Sequence, residues 1–540
     1  MMHRPILWML VFSLTCTFNT FSQKKTDKSN TKNNSSSDSK KDDLYASSTF
    51  SALKFRSIGP AVTSGRISDF AVNPNNHSEY YVASSSGGVW KTTNRGVTYE
   101  PIFDGEGSYS IGCVTIDPTN SSTVWVGTGE NNNQRSVAYG DGVYKSTDGG
   151  KSWKNMGLKT SEHISQIIVD PTDPNTIFVG AYGPVWSEGG ERGVYKSTDG
   201  GTTWTCVKSV SAYTGCNDLI MDPRDHKILY AAFHQRMRKV FTYIGGGPES
   251  ALFKSTDGGT TWTKMEGGLP SGDIGRIGLD LSPVNPDILY AVVEAKDGKG
   301  GVYRSVNKGA SWEKRSGTST SGNYYQEVTC DPHNADKLFI TDTYFKVSYD
   351  GGKSFSNLGE INKHIDNHAI WVDPKDANHL LVGCDGGVYE TYDHAKSYHF
   401  KDNLPVTQFY KVSTDNEYPF YTVHGGTQDN LSLAIPSRTT SMNGIVNSDC
   451  YVTSIGDGFE TQVDQSNPNI IYAQSQYGGL VRFDRKMVNF LPLNLLKEKM
   501  NQLTDGIGML HFLLASLTTK DCISVPIKFS EQMTKAIAGK

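Results

Sequence analysis

The sequence predicts an all-β fold: a seven-bladed β-propeller followed by the first blades of a second, incomplete propeller. Three observations lead to this prediction. An eight-residue motif recurs seven times, a strand ending in Asp-Pro or a variant of it precedes each copy, and the 540-residue chain is rich in glycine (55) and aromatic residues (11%). This composition is typical of many short strands joined by tight turns.

The recurring motif is an octet that begins with Ser or Thr, has Asp or Asn at its third position and ends in an aromatic residue. Such Asp side chains accept hydrogen bonds from turn amides, and the glycines that follow tolerate positive φ. We therefore interpret the octets as structural hairpins, without a catalytic role. They occupy residues 92–99, 146–153, 197–204, 255–262, 305–312, 348–355 and 391–398. Their structural residues are Asp148, Trp153, Asp199, Trp204, Asp257, Trp262, Asn307, Trp312, Asp350 and Phe355.

Each octet completes a unit of four strands. The first strand of a unit ends in a Pro-containing turn, as after Val72, Val169 and Val372. Units of this size stacked radially form a propeller, whose closure protects the sheet edges. We assign residues 49–403 to one propeller and residues 404–486 to the start of a second, because two blades cannot close a ring.

The N-terminus predicts export. Basic residues precede an apolar stretch from Ile6 to Phe18 that is too short to span a bilayer. We assign residues 1–22 to a signal peptide, with a lipoprotein signal at Cys16 as the alternative, and residues 23–48 to a disordered linker. A secreted, periplasmic or cell-surface protein without a transmembrane segment is expected.

The C-terminal segment, residues 487–540, departs from the pattern of the rest. It contains neither Trp nor an octet. Loss of one adenine near codon 486 explains this, because the DNA read one base earlier permits a further octet across residues 531–539. We expect a non-native tail produced by a frameshift, which has no evolved packing surface. An unrelated C-terminal segment is the alternative.

Charge and motif content exclude several classes of function. The formal net charge is −4 without a basic cluster, which argues against a nucleic-acid partner. The chain has no nucleophile elbow, no Cys–His pair, no phosphate loop and no dinucleotide fingerprint, so no cofactor is expected. Cys206 and Cys216 are ten residues apart, and a disulfide between them stays open. The oligomeric state is also left open.

Three polar clusters are candidates for a binding site on an axial face of the propeller. One is the loop at residues 127–135, one surrounds two histidines, and one is a Gly-Gly-Thr-Gln-Asp-Asn turn. For each cluster, a hydrogen-bonded loop or rim is the alternative to a ligand site. The candidate ligand-binding residues are Glu130, Asn131, Arg135, His364, His368, Asp385, Gln428 and Asp429.

The histidine cluster is also a weak candidate for a metal site. His364, Asp366 and His368 alternate in sequence, so an extended segment would place all three side chains on one face. Imidazole and carboxylate groups are common ligands of transition metals, and Asp385 is a further candidate. A polar, hydrogen-bonded rim without metal is the favoured interpretation.

These motifs resemble those of a known superfamily. With its octets and Asp-Pro strands, the chain resembles the Asp-box (BNR-repeat) propellers. Within them it is most similar to secreted bacterial proteins called BNR glycosyl hydrolases or sortilin N-terminal-domain proteins. The resemblance covers residues 55–485. It rests on the octets and on the runs at residues 55–60, 127–131, 367–371, 425–430 and 456–459.

The resemblance bears on catalysis in two ways. Xyloglucanase-type relatives have two propellers and two catalytic aspartates, the first of which lies just before a Gly-Gly-aromatic segment of the first blade. Here Ser85 or Ser86 occupies that place, and serine cannot act as the base of an inverting glycosidase. The second aspartate belongs to the second propeller, which is mostly absent. The arginine cluster and Tyr–Glu pair of sialidases are not found.

The sequence therefore predicts an exported propeller that binds a polysaccharide or peptide ligand on its axial face. One alternative is a glycoside hydrolase of the two-propeller, xyloglucanase-like type. The other is a scaffold in a secreted complex.

Overall fold

The computed structural model describes residues 47–134 and 137–492, most of which form β-strands and the turns between them. In these ranges the helices are three short 3₁₀ turns, Ser47–Phe50, Asn447–Asp449 and Gln476–Gly478, and no helix is long and apolar enough to cross a membrane. One compact unit begins at Ile58 and contains all the strands named below. The prediction of an all-β propeller is confirmed. The predicted signal peptide and most of the predicted linker lie outside the described residues.

The strands form antiparallel sheets whose strands are adjacent in chain order. Sheet 1 contains β1 (Ile67–Val72), β2 (Tyr80–Ser84), β3 (Gly88–Thr92) and β4 (Glu100–Pro101). Sheet 2 contains β5 (Ile111–Asp117), β6 (Asn120–Thr128), β7 (Val143–Ser146) and β8 (Lys154–Gly157). Sheet 3 contains β9 (Ile164–Asp170), β10 (Asp173–Ala181), β11 (Gly193–Ser197) and β12 (Thr205–Lys208).

Sheet 4 carries an additional hairpin strand. It contains β13 (Thr214–Met221), β14 (Leu229–Lys239), β16 (Ala251–Ser255) and β17 (Thr263–Lys264), and β15 (Thr242–Gly245) pairs with the far end of β14. Sheet 5 contains β18 (Ile274–Leu281), β19 (Leu289–Ala295), β20 (Gly301–Ser305) and β21 (Glu313–Ser316). Sheet 6 contains β22 (Val328–Cys330), β23 (Leu338–Ile340), β24 (Lys346–Ser348) and β25 (Ser356–Asn357). Sheet 7 contains β26 (Asn367–Val372), β27 (Leu380–Cys384), β28 (Gly387–Thr391) and β29 (His399–Phe400).

Sheets 1 to 7 form a closed ring. Each sheet shares a hydrophobic core with the next, and sheet 7 shares one with sheet 1, where Leu381 and Val388 pack with Ile67 and Val82. The first strands are innermost, since β1 contacts both β5 and β26. Because the strands of a sheet are antiparallel, its first strand begins and its second strand ends on one face of the ring. We call this face the axial face.

The octets are the turns between the third and fourth strands. In the copy that follows β7, Asp148 Oδ1 accepts hydrogen bonds from the amides of residues 151 and 152 at 3.0 and 2.9 Å, and Gly149 and Gly150 have φ of 74° and 91°. The aromatic residue contacts the preceding sheet: Trp153 Nε1 donates to the carbonyl of Ile102 at 2.6 Å. Octets therefore join neighbouring sheets as well as closing a hairpin.

Two further sheets follow the ring. Sheet 8 contains β30 (Phe409–Thr414), β31 (Thr422–Thr427), β32 (Ser432–Pro436) and β33 (Tyr451–Ser454). Sheet 9 contains β34 (Gly458–Val463), β35 (Ile470–Ser475), β36 (Gly479–Asp484) and β37 (Asn489–Pro492). The last strand falls inside the predicted non-native tail and pairs with β36, while residues 493–540 lie outside the described part of the chain.

The structure contains no disulfide between Cys206 and Cys216. Cys216 is fully buried in the core shared by sheets 3 and 4, whereas Cys206 is exposed on β12, and both thiols are free. Their separation by ten residues therefore does not place the two side chains together. Burial raises the pKa of the Cys216 thiol, which makes it inert toward exchange.

Candidate functional site

A buried arginine organises the axial face. The Arg66 guanidinium binds Asp385 in a bidentate pair, with Nε and Nη2 at 2.5 and 3.0 Å from the two carboxylate oxygens. Nη1 donates to Glu130 Oε1 at 2.8 Å, and Nη2 also donates to Asp429 Oδ2 at 3.3 Å. We call these four residues the Arg66 cluster. One guanidinium thus contacts three carboxyl groups.

The propeller topology brings these side chains together. Arg66 lies directly before β1, and the three carboxyl groups follow β6, β27 and β31, which are second strands of sheets 2, 7 and 8. The start of a first strand and the end of a second strand lie on the same face. The cluster therefore joins sheets 1, 2 and 7 of the ring to sheet 8, and Asn430 Nδ2 strengthens this contact by donating to the carbonyl of Asp385 at 2.8 Å.

The carboxyl groups of the cluster differ in protonation. Burial opposes ionisation of Asp385, but the charge of Arg66 and the neighbouring His368 hold its pKa well below the usual range. Burial and the negative charge of Asp385 raise the pKa of Asp429 to about 8. The physical reason is that Asp385 and Glu130 already neutralise Arg66, so a third carboxyl has no free counter-charge.

Five of the eight sequence-predicted ligand residues lie in or beside this cluster. Glu130, Asp385 and Asp429 belong to it, His368 Nε2 lies 2.8 Å from Asp385 Oδ1, and His364 Nε2 lies 3.3 Å from the carbonyl oxygen of Asp429. The other three are Asn131, Gln428 and Arg135. Asn131 lines a cavity on the axis, the amide of Gln428 donates to the carbonyl of Gln408 at 3.0 Å, and Arg135 lies outside the described residues.

The predicted shared face of His364, Asp366 and His368 is wrong. β26 begins only at Asn367, and Asp366 has a φ of 64°, so the segment is not extended. Asp366 instead accepts a hydrogen bond from the hydroxyl of Tyr325. The ring of Tyr325 stacks on His368, with the ring centroids 5.3 Å apart. Across residues 47–134 and 137–492, no group of three or more His, Cys, Asp or Glu side chains is arranged to hold a metal ion.

A second carboxyl group lies beside Asp429. Asp457 precedes β34, the first strand of sheet 9, and its backbone pairs in parallel with Leu431, whose amide donates to the carbonyl of Gly456 at 3.0 Å. The Asp457 charge contributes to the raised pKa of Asp429, and Gln476 Nε2 donates to Asp457 Oδ2. Sheets 8 and 9 thus place two partly exposed carboxyl groups side by side on the axial face.

Aromatic side chains flank this pair. Tyr410 stacks on Phe459 with ring centroids 5.0 Å apart, and burial together with the charges of Asp429 and Asp457 raises the pKa of the Tyr410 hydroxyl to about 12. Tyr477 is almost fully exposed on the loop after β35. Aromatic faces next to a few convergent polar groups are typical of small-molecule and glycan sites.

Some non-glycine residues of this face have a left-handed backbone conformation. Asp429 and Leu431 have φ of 61° and 74°, and across the axial face Gln326 has a φ of 78°. Residues other than glycine rarely adopt this region, and such strain persists where the surrounding contacts hold it. Asp429 is held by Arg66 and by the backbone bonds of the turn, so its carboxyl direction is fixed before any ligand arrives.

Sequence reasoning missed Arg66, Asp457 and Tyr325. A single arginine before an apolar strand has no distinguishing pattern. Asp457 is part of the Gly-Asp-Gly-Phe run on which the resemblance to the superfamily rests. Its position in that run could have indicated a functional residue. Ser85 follows β2, which is the position in sheet 1 that Asp385 occupies in sheet 7. It is 2% exposed, and in the described structure its hydroxyl has no hydrogen-bond partner.

Comparisons with known proteins agree with this architecture. The family model described as Sortilin, neurotensin receptor 3 (Sortilin-Vps10) matches residues 141–268. The xyloglucanase of Hypocrea jecorina (strain QM6a) is 26% identical over 251 residues, which are 41% of this chain and 28% of that protein. Xyloglucanase Xgh74A of Acetivibrio thermocellus is 24% identical over 320 residues, 52% of this chain and 36% of the relative.

Solved structures extend the likeness to most of the chain. The GH74 enzyme of Niastella koreensis superposes with a TM-score of 0.57 at 16% identity, covering 82% of this chain and 68% of that chain. The chain spans less than half the length of the curated xyloglucanases it matches. At these identities the structural likeness concerns the fold. The chain is a propeller-type protein that resembles the Sortilin-Vps10 family model over residues 141–268 and is similar in fold to the GH74 enzyme.

Proposed function

We propose that this protein is a glycoside hydrolase that acts on a β-linked polysaccharide of the xyloglucan type at the junction between the ring and sheets 8 and 9. The observation that carries the proposal is the carboxyl pair Asp429 and Asp457. Asp429 is partly exposed with a pKa raised to about 8, and Asp457 lies beside it. The xyloglucanases among the similar proteins support the choice of substrate.

Glycosidases need one protonated and one ionised carboxyl group. With its raised pKa, Asp429 keeps its proton at neutral pH and donates it to the glycosidic oxygen as the bond to the anomeric carbon breaks. Asp457 takes the proton from the water whose oxygen attacks that carbon. Proton transfer through solvent then restores both groups. The Arg66 cluster holds Asp429 in position throughout.

The surroundings of the pair suit a sugar chain. Tyr410, Phe459 and Tyr477 present aromatic surface, and the carboxyl groups supply acceptors for hydroxyls. Sugar rings are apolar on their faces and polar at their edges, so this combination binds them. The predicted export of the protein would place it with extracellular polysaccharides.

The test measures reducing ends released from xyloglucan by the 540-residue chain and by its Asp429→Asn and Asp457→Asn variants. Each substitution is expected to lower kcat by at least about 100-fold. Activity of the wild type should fall as the pH rises through about 8, because Asp429 then loses its proton. The control is Asp148→Asn, since the octet at residues 305–312 naturally has Asn307 in that position.

Two results would contradict the proposal. One is the absence of reducing-end release from xyloglucan and from mixed-linkage glucan by well-folded wild type. The other is full activity in both Asn variants. Binding of xyloglucan without cleavage would instead support the second candidate, a polysaccharide- or peptide-binding propeller. Ser85 favours that candidate, because a buried serine stands where the resemblance places a catalytic carboxylate.

A further inference from the structure

The turn that carries Asp429 is docked on sheet 7 by more than its carboxyl group. Asn430 Nδ2 donates to the carbonyl of Asp385 at 2.8 Å, and His364 Nε2 lies 3.3 Å from the carbonyl oxygen of Asp429. His364 belongs to the segment before β26, whereas Asp429 lies in the turn between β31 and β32. Asp429 has a φ of 61°, so contacts from outside the turn are needed to hold its peptide unit in this strained conformation.

The His364 ring lies between two carbonyl groups. Its Nδ1 is 2.6 Å from the carbonyl oxygen of Ile365, and its Nε2 faces the carbonyl oxygen of Asp429. A carbonyl oxygen only accepts hydrogen bonds, so each ring nitrogen must carry a proton to bond its partner. An imidazole that donates from both nitrogens is the charged imidazolium. The geometry therefore requires a cation at this position.

The packing of sheet 7 fixes the ring in this place. A Cβ atom at Gly386 would come within 2.6 Å of His364 Cβ and Cγ, so only glycine lets the turn after β27 approach the histidine this closely. The Cys384 thiol also contacts the ring, but it donates to the carbonyl of Gly387 at 3.5 Å, so its proton is not directed at the ring nitrogens. Rotation of the ring away from the Asp429 carbonyl would therefore require this turn to move.

The surroundings favour the charged ring at neutral pH. Burial opposes protonation of His364, but the contact with Cys384 and the bonds to the carbonyls of Ile365 and Asp429 raise its pKa to about 9. The ionised Asp385 lies on the turn against which the ring packs. The titratable groups near the ring and its backbone are Lys363, Cys384, Asp385, Tyr389, Asp429 and, beyond these, Arg66. His364 therefore keeps both N–H donors at neutral pH.

We propose that His364 is a positioning residue of the hydrolase site, whose two N–H donors hold the Asp429 peptide unit against sheet 7 and so direct its carboxyl group. This inference rests on the proposed function, in which Asp429 is the acid. The side-chain contact of Asp429 is too weak to do this alone, because Arg66 Nη2 lies 3.3 Å away and is shared with Asp385. A catalytic group must be held within about 0.5 Å of its productive position, and the backbone bond contributes to that precision.

The role of His364 has two measurable consequences. His364 acts through the backbone of Asp429 and exchanges no proton with the substrate, so loss of its donors should lower kcat and leave KM unchanged. The stabilisation by His364 is complete below its usual pKa of about 6.5 and is lost as the pH rises through about 9, because one carbonyl then loses its donor. The turn at Asp429 is released from sheet 7 over that range.

The first experiment determines the charge of His364 without reference to hydrolysis. The histidine rings of the 540-residue chain are labelled with nitrogen-15, and the His364 signals are identified by their loss in His364→Gln. Nitrogen shifts of an imidazolium at neutral pH, which titrate near pH 9, are expected. The difference in Tm between the wild type and His364→Phe should shrink over the same titration. A neutral His364 ring at neutral pH would overturn the inference.

The second experiment measures the hydrolysis of xyloglucan. His364→Phe keeps an aromatic ring and removes both donors, so its kcat should fall by about tenfold or more while KM stays unchanged. His364→Gln keeps one donor group and should have an intermediate kcat, and it gives the same comparison if His364→Phe folds poorly. The matched control is His226→Gln, because His226 pairs with Asp170 in the turns on the opposite face of the ring, and its kcat should equal that of the wild type.

Failure of this inference can be told apart from failure of the proposed function. An active wild type together with unchanged kcat in both His364 variants would overturn only the role of His364. A well-folded wild type that releases no reducing ends would overturn the proposed function and the positioning role in it. The nitrogen-15 titration and the difference in Tm would then still decide whether His364 holds the Asp429 turn.

Discussion

Aspartate side chains have opposite protonation behaviour in the octet turns and on the axial face. Asp148 lies on the outside and takes its hydrogen bonds from its own octet, and the Ser152 hydroxyl and amide lower its pKa to about 2. Asp429 lies on the axial face, and burial together with Asp385 raises its pKa to about 8. Hydrogen-bond donors within the octet keep Asp148 ionised. Asp429 stays protonated because the charge of Arg66 is already neutralised by other carboxyl groups.

The two regions also treat the backbone differently. In the best-preserved octets, both positions with positive φ are glycines, as at Gly200 and Gly201. On the axial face such positions hold Asp366, Asp429 and Leu431. In a repeated turn, glycine can occupy the positions of positive φ without strain. Where a site needs a particular side chain at such a position, the residue has a strained backbone, and the surrounding contacts must stabilise that conformation.

The largest expected effect comes from breaking the axial network. Replacing Arg66 by Met leaves Asp385 and Glu130 buried without their partner and should lower the free energy of unfolding by about 3–5 kcal/mol. Denaturant titration measures this. In the control, Lys296→Met, both the lysine and its partner Asp273 are exposed, and the loss should stay below about 1 kcal/mol. Similar losses in the two variants would show that the Arg66 cluster is not a buried network.

The pH dependence of stability should differ in sign between the regions. The folded-state pKa of Asp218 is raised to about 7, so the folded protein binds more protons than the unfolded chain between pH 4 and 7. The stability of the wild type, measured relative to Asp218→Asn, should therefore fall as the pH rises through this window, by at most about 1.4 kcal/mol per pH unit.

For the octet residue Asp199 the pKa is lowered to about 2 by the Thr203 hydroxyl and amide. The contribution of Asp199 to the stability of the folded state is present above pH 4 and is lost as the pH falls toward 2. Thermal unfolding of wild type, Asp218→Asn and Asp199→Asn from pH 2.5 to 7.5 checks both signs. The same sign for the two aspartates would contradict the comparison.

Removing an octet hydroxyl should have a smaller effect. Ser197 is buried, and its Oγ accepts the amide of Gly201 at 2.9 Å while donating to Asp199 at 2.8 Å. Ser197→Ala should cost about 1–2 kcal/mol of unfolding free energy, because a buried amide loses its acceptor. Ser356→Ala, on the exposed strand β25, should change stability by less than about 0.5 kcal/mol. If both variants unfold like the wild type, the octet bond contributes nothing.

The smallest effect is a gain. Ala395 has a φ of 65° in the seventh octet, at the position where the third octet has Gly201. Ala395→Gly should raise stability by up to about 1 kcal/mol through relief of the left-handed conformation. The reverse change, Gly201→Ala, should destabilise, since a Cβ there would come within 2.6 Å of the Trp125 ring. A lower Tm for Ala395→Gly would mean that its methyl packing outweighs the strain.

Local patterns made the fold predictable, and long-range pairing made the site hard to predict. Each octet contains its own donors, acceptors and glycines, so Asp148 and its counterparts could be recognised from eight residues. Glu130, Asp385 and Asp429 could be chosen as polar loop residues, but nothing near them in sequence indicates that they share Arg66. The error over His364, Asp366 and His368 has the same origin, since Tyr325 from another sheet decides where Asp366 points.

The separation of Arg66 from its partners also has a consequence for synthesis. Asp385 is 319 residues further along the chain and Asp429 is 363. Each four-stranded sheet is continuous in sequence and can form as the ribosome releases it, at about 5–20 residues per second. Arg66 emerges early, and Glu130 follows it by only 64 residues, but the other two carboxyl groups arrive tens of seconds later at the slower rates. The nascent protein therefore carries an open ring whose first and last sheets meet only late, and its exposed inner edges are where chaperones would be needed most.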